Sequence, residues 1–155
     1  MTSPRYLSSH FTLEELTRSD YAVRKGIDNT PDANVLSNLL LLASCLEGVR
    51  AVLSVSVHIS SGYRSPKTNA GVGGSPTSAH TRGLAADFTA PVFGKPRDIC
   101  LELVPRLESL GIDQLILEYP NAPNGGWVHI SVDEHPRYMT LTKWSGDSGY
   151  ERGIV

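Results

Sequence analysis

An aspartate stands inside an apolar run, Leu84-Ala85-Ala86-Asp87-Phe88. A carboxylate buried in such a strand without compensation costs several kcal/mol, so a fold that buries the run must also bring it a cation. Two histidines lie in similar settings: His80 in Ser78-Ala79-His80-Thr81-Arg82-Gly83, and His129 in Trp127-Val128-His129-Ile130-Ser131. Two imidazoles and a carboxylate form a ligand set for one catalytic zinc ion, and three protein ligands leave the fourth tetrahedral position open to water. Such an ion brings the ionisation of its water near neutral pH. The small residues around Asp87 let the backbone pass close to a crowded centre. Arg64 is the other available cation, and a buried Arg64–Asp87 ion pair compensates the carboxylate equally well.

Composition narrows the remaining classes. The chain has 155 residues, the size of one domain, and its hydrophobic content of 40% suffices for one core. Fourteen basic residues nearly balance sixteen acidic ones, and neither sign gathers in a long run. That argues against a nucleic-acid-binding protein, which would carry a basic patch. No apolar run approaches the ~20 residues that span a membrane. The start, Met1-Thr2-Ser3-Pro4-Arg5-Tyr6, lacks the apolar core of a secretory signal, so the expectation is synthesis in the cytoplasm without one. Cys45 and Cys100 sit in apolar runs and read as buried thiols rather than as a disulfide or metal ligands. His10, His58 and His135 read as ordinary surface or core histidines.

Local signals predict the order of elements. Thr12 and Glu15 form a capping box flanked by Phe11 and Leu16, which start a short helix ending near Arg18. Thr30 and Pro31 read as cap and first turn of a long helix to about Val52, apolar nearly all round and therefore a buried spine. Alternation predicts strands over 54–60, 84–90, 114–119 and 127–132. Residues 67–77 read as a long functional loop. Pro96 opens a helix through Ile99, Leu103 and Leu107, interrupted by Pro105 and stopped by Gly111. The expected architecture is a small α+β domain over residues 1–145, its N-terminal helices packed on a mixed or antiparallel sheet. A polar, Gly-rich tail over 146–155 is expected to be loose.

The last two strands are separated by Pro120-Asn121-Ala122-Pro123-Asn124-Gly125-Gly126, a loop of turn-formers that reads as a hairpin. Gln114, Ile116 and Glu118 then share one face, with Leu115, Leu117 and Tyr119 toward the core. Trp127, His129 and Ser131 share one face of the partner strand. A turn centred between Pro123 and Asn124 sets Glu118 directly opposite His129, where a general base belongs. A one-residue slip of that register would turn Glu118 to the other face.

Ser61-Gly62-Tyr63-Arg64-Ser65-Pro66, Asn69 through Gly74, Ser78-x-His80-x-x-Gly83-x-Ala85-x-Asp87 and Trp127-Val128-His129 together resemble the zinc D-alanyl-D-alanine carboxypeptidase family of peptidases. The resemblance is to the compact branch common in bacteriophages and prophages, and it covers roughly residues 8–133. Phe11-Thr12-Leu13-Glu14-Glu15-Leu16 and Gly26-Ile27-Asp28-Asn29 also look like that branch. The resemblance implies the small α+β zinc-peptidase fold also seen in hedgehog signalling domains. It implies one zinc ion on His80, Asp87 and His129, with Arg64 and Ser78 holding a substrate carboxylate or carbonyl oxygen. The implied substrate is the stem peptide of bacterial peptidoglycan, cut as a carboxypeptidase or an endopeptidase. The implied setting is a monomeric endolysin released through a membrane pore, or a piece of a virion. Several family members place an acidic base three residues before the last histidine. Here that residue is Gly126, which leaves Glu118 as the expected base. The alternative reading is a zinc-retaining murein-binding module or virion component that no longer cuts.

Overall fold

A computed structural model describes residues 3–146 and 148–155; Met1 and Thr2 of the start and Asp147 of the tail lie outside the described residues. The expected α+β architecture holds: helices pack on a six-stranded mixed sheet. The strands are β1 (His58–Ser61), β2 (Ala85–Thr89), β3 (Ile112–Glu118), β4 (Trp127–Val132), β5 (Met139–Lys143) and β6 (Glu151–Arg152). Their spatial order is β1-β2-β4-β3-β5-β6, antiparallel except where β5 runs parallel to β3.

Helix α1 (Leu13–Thr17) starts on the expected capping box: Glu15 N donates to Thr12 Oγ1 at 3.2 Å and Thr12 N to Glu15 Oε1 at 2.9 Å. Phe11 and Leu16 are buried on either side of that cap. Helix α2 (Asp20–Lys25), which the sequence reading passed over, runs from an N-cap at Ser19 to a left-handed Gly26. The long helix α3 (Ala33–Leu53) begins later than expected. Asp32 is its cap and accepts from Val35 N at 2.8 Å, while Thr30 N donates to Asp28 Oδ1 in a turn of its own. An aspartate beside the first turn caps better than a threonine two residues upstream.

Leu39, Leu42, Leu46, Val49 and Leu53 of α3 are buried in the core, but Leu36, Leu40 and Leu41 stay partly open, so the spine is not buried all round. The helix has 21 residues and is long and apolar enough to cross a membrane by length and composition, contrary to the sequence expectation. Its buried stripe against the sheet accounts for part of that apolarity. The expected loop over 67–77 is also partly helical. Helix α4 (Pro66–Gly71) opens on Ser65, whose hydroxyl accepts from Thr68 N, with proline in the first turn. The later helical segment divides as its proline requires: α5 (Pro96–Leu103), a 3₁₀ turn through Pro105, and α6 (Leu107–Leu110), ended by left-handed Gly111.

The C-terminal residues are held rather than loose. Arg152 and Glu151 pair with Leu141 and Thr142 of β5. The fully buried Thr142 hydroxyl donates to Gly153 O at 2.7 Å and accepts from Val155 N at 3.2 Å.

The sheet has two unlike faces. Ala86, Phe88, Leu115, Leu117, Val128 and Ile130 point into the core with the helices. Asp87, His129, Ile116 and Glu118 lie on the opposite face. The β3–β4 register differs from the expected one: Glu118 pairs with Trp127, and Ile116 pairs with His129. The turn is centred one residue earlier than expected, which moves the register by two. An even shift preserves the face, so Glu118 stays on the side of His129. Tyr119, expected in the core, leaves the strand at φ 52°.

Gly126 closes that turn at φ +76°, and a Cβ there would lie 2.2 Å from Glu118 O and 2.5 Å from Tyr119 O. Position 126, three residues before the last histidine, therefore has no room for an acidic side chain. Gly126→Ala is expected to destabilise the protein by at least about 2 kcal/mol, from left-handed strain plus the backbone clash. Gly125→Ala, at φ +83° with open space around it, carries the strain alone, about 1 kcal/mol. Urea unfolding of the two variants measures the difference; equal losses would remove the clash as the reason for glycine at 126.

Candidate metal centre

His80, Asp87 and His129 converge from three segments. Asp87 and His129 are direct cross-strand partners on β2 and β4. His80 arrives on the 3₁₀ turn Ala79–Arg82, immediately before β2. That turn is fixed at several points. His80 N donates to Ser78 Oγ at 3.2 Å, and Arg64 N donates to His80 O at 3.0 Å. The ring is fixed through Nδ1, 2.8 Å from Gly62 O, so the carbonyl holds that nitrogen as N–H and leaves Nε2 as the lone-pair donor. Gly62 is itself pressed against α1: a Cβ there would lie 2.3 Å from Leu16 O, and the neighbouring Tyr63 N donates to that same oxygen at 2.7 Å. Only glycine admits so close an approach.

Both imidazoles address one carboxylate oxygen. Asp87 Oδ1 lies 3.3 Å from His80 Nε2 and 3.0 Å from His129 Nδ1. The two rings stand edge to face, their centroids 5.1 Å apart. The three offered ligand atoms lie within 4.8 Å of one another, and all three residues are buried. This group could hold one metal ion. Burial alone would raise the Asp87 pKa, but the two imidazoles set against its Oδ1 outweigh that effect and hold the carboxyl below the usual carboxylate range. The alternative compensation fails: among the described residues no Arg64–Asp87 ion pair forms.

All six residues singled out from the sequence line one cleft of about 700 Å³: Arg64, Ser78, His80, Asp87, Glu118 and His129. Glu118 Oε1 lies 3.7 Å from His129 Nδ1, reached diagonally rather than directly across the strands. Burial, then the negative charge of Asp87, push the Glu118 carboxyl up to about 7, against the pull of His129, Lys143 and Arg64. The competing acids are otherwise engaged. Asp113 is clasped by Arg137 through two side-chain bonds at 2.9 and 2.8 Å, and Asp133 accepts from His135 N.

Arg64 is partly desolvated, which lowers its pKa against the charges of Asp87 and Glu118, and its Nε is buried without a hydrogen-bond partner. A guanidinium keeps its charge through such a shift. The Ser78 hydroxyl accepts from His80 N and keeps its own proton for donation. His10 pairs with Glu47 at 2.7 Å, while His58 and His135 are exposed. Cys45 and Cys100 are free and buried, and burial pushes both thiols up to about 12.

The sequence reading missed Lys143 and Tyr150 in the cleft wall. Met139-Thr140-Leu141-Thr142-Lys143 does alternate apolar and polar residues, the available signal for β5. Its parallel pairing with β3 is a non-local contact that alternation does not reveal.

The Peptidase M15 family model matches residues 9–104, which include Arg64, Ser78, His80 and Asp87. Glu118 and His129 lie beyond the match and join these residues through the sheet. Comparison with curated proteins gives no match. Over more than half its length, the chain matches and belongs to the Peptidase M15 family.

Proposed function

We propose that the chain is a zinc peptidase that hydrolyses amide bonds in the stem peptides of bacterial peptidoglycan, as a carboxypeptidase or endopeptidase. The observation that carries the reading is the convergence of His80 Nε2, Asp87 Oδ1 and His129 Nδ1, with the unpaired Arg64 and Glu118 in the same cleft. Two neutral imidazoles and one carboxylate suit zinc in a site with an open position. Bound there, zinc supplies Lewis acidity toward water and the scissile carbonyl.

The chain's own groups supply the rest. Glu118, raised toward neutrality by burial and by Asp87, takes the proton from the attacking water and returns it to the leaving amine. Arg64 offers a fork of donors to a substrate carboxylate or carbonyl oxygen. Ser78 offers one further donor from the same wall. Gly62 O fixes the His80 tautomer, so this ligand meets the metal without reorganising. The proposal extends to the setting: a phage or prophage endolysin or virion component, monomeric, acting on the cell wall. The resemblance to the compact phage branch supports it.

Protein purified without added metal should carry near-stoichiometric zinc by elemental analysis. His80→Ala and His129→Ala should each lose most of it, and full retention by both would refute the ligand assignment. Digestion of purified murein should release new amino groups and no new reducing ends; reducing ends would mean that the bond cut is glycosidic.

On the same substrate Glu118→Gln should fold and bind zinc normally yet turn over roughly 10²–10⁴-fold more slowly, the usual worth of a positioned base. Activity within threefold of wild type would exclude Glu118 as the base. Arg64→Ala should lose roughly 2–4 kcal/mol in kcat/KM, and Arg64→Lys should restore only part, because a point charge does not replace the fork. Unchanged kinetics in Arg64→Ala would make the residue a structural cation only.

A further inference from the structure

One wall of the cleft is aromatic and is built at a conformational cost. Tyr119 sits at φ 52°, a backbone region where a bulky side chain is a genuine outlier and glycine is at ease. It is held there by a bond from its N–H to Lys143 O at 2.7 Å. Its ring packs on Trp127, centroids 4.9 Å apart and planes tilted by 50°. Strain of this kind persists where the surroundings impose it, and it gathers at binding sites.

Tyr150 extends the wall from the other side. Lys143 pairs with Glu118 across β3 and β5, on the same face of the sheet. Lys143 Nζ stands 4.4 Å from the centroid of the Tyr150 ring and donates to Ser148 O at 2.8 Å. A turn closed by Ser145 N donating to Ser148 Oγ, and that hydroxyl donating to Ser145 O, completes the support. Tyr150 is thus anchored by Lys143 yet 55% exposed, at the rim of the cleft beside Glu118.

Resting on the peptidase reading above, we infer that Tyr119 and Tyr150, with Trp127, form a specificity wall that receives a neutral group of the substrate presenting a flat C–H face. Aromatic faces suit such a surface. A cationic group is disfavoured at this wall because the Lys143 ammonium already stands 4.4 Å from the centroid of the Tyr150 ring. Its volume of about 700 Å³ exceeds what a single terminal residue needs, so the ligand extends beyond the scissile bond. Two parts of a murein fragment carry this chemistry: a sugar ring of the glycan to which the stem peptide is attached, and an aliphatic residue of the peptide itself.

Calorimetric titration of zinc-loaded Glu118→Gln protein, whose slowed turnover lets binding be read ahead of cleavage, tests the wall. The probes are a disaccharide-linked stem peptide and the same peptide without its sugar. In that background Tyr119→Gly and Tyr150→Ala should each weaken binding roughly three- to tenfold. Loss confined to the sugar-linked probe assigns the wall to the glycan; equal loss on both assigns it to the peptide. Tyr119→Gly should unfold at the same or a higher temperature than its parent, because glycine relieves the left-handed strain. Affinities within twofold of the parent for both probes in both variants would overturn the inference. If the parent binds neither probe, the murein reading itself falls and takes this inference with it.

Discussion

The buried carboxylate of Asp87 is the constraint around which the molecule is arranged. It lies in a central strand with neighbours on both sides, where an uncompensated charge is costly. Two imidazoles from different segments meet one of its oxygens, so the fold must close three chain segments on one point. A metal ion takes its ligands from such a cluster with little rearrangement. Acid-base hydrogen bonds alone would leave two rings and a carboxylate crowded to no chemical end. The arrangement makes sense as a held set of donors.

Holding it requires parts that look unrelated in the sequence. The first short helix matters because Leu16 O fixes Tyr63 N and leaves Gly62 no room for a side chain. Gly62 O in turn fixes His80. The capping box at Thr12 and Glu15 thus supports the candidate metal centre through one backbone carbonyl, as outer-sphere partners do in metal sites. Gly126 acts similarly on the other side. By passing against Glu118 O it excludes an acid at its own position and leaves Glu118 as the carboxylate beside the centre.

Most of the centre was legible in the sequence because Asp87, Glu118 and His129 sit on regular strands with a period of two, while His80, on a 3₁₀ turn, was legible through its motif. Asp87 and His129 needed only alternation and a motif. Glu118 was reached by a hairpin argument whose register was off by two, and the shift was harmless because parity, not position, decides the face. Tyr119 was misread for the same reason: alternation assumes extended backbone, and its positive φ breaks that assumption. Helix α4 hid behind glycine and serine composition, although Ser65-Pro66 carried a start signal. Strand β5 alternates, but its place in the sheet stayed hidden because it pairs in parallel across a long sequence interval, and β6 has only two residues.

This split between legible and illegible follows the division of labour in the cleft. The candidate metal ligands His80, Asp87 and His129 lie on or immediately before central strands, where hydrogen bonding on both edges and a packed underside hold side chains to a fraction of an ångström. The aromatic wall comes from a strand exit and from the segment before the sheet's last, two-residue strand. Such segments answer to fewer neighbours, so their residues can change without disturbing the centre. Lys143 joins the two regions. Its backbone pairs with Glu118 in the sheet while its ammonium holds Tyr150 at the rim, so the wall is fixed relative to Glu118 rather than to the His80–Asp87–His129 cluster. Whatever lies against Tyr150 is thereby placed at a set distance from the Glu118 carboxylate.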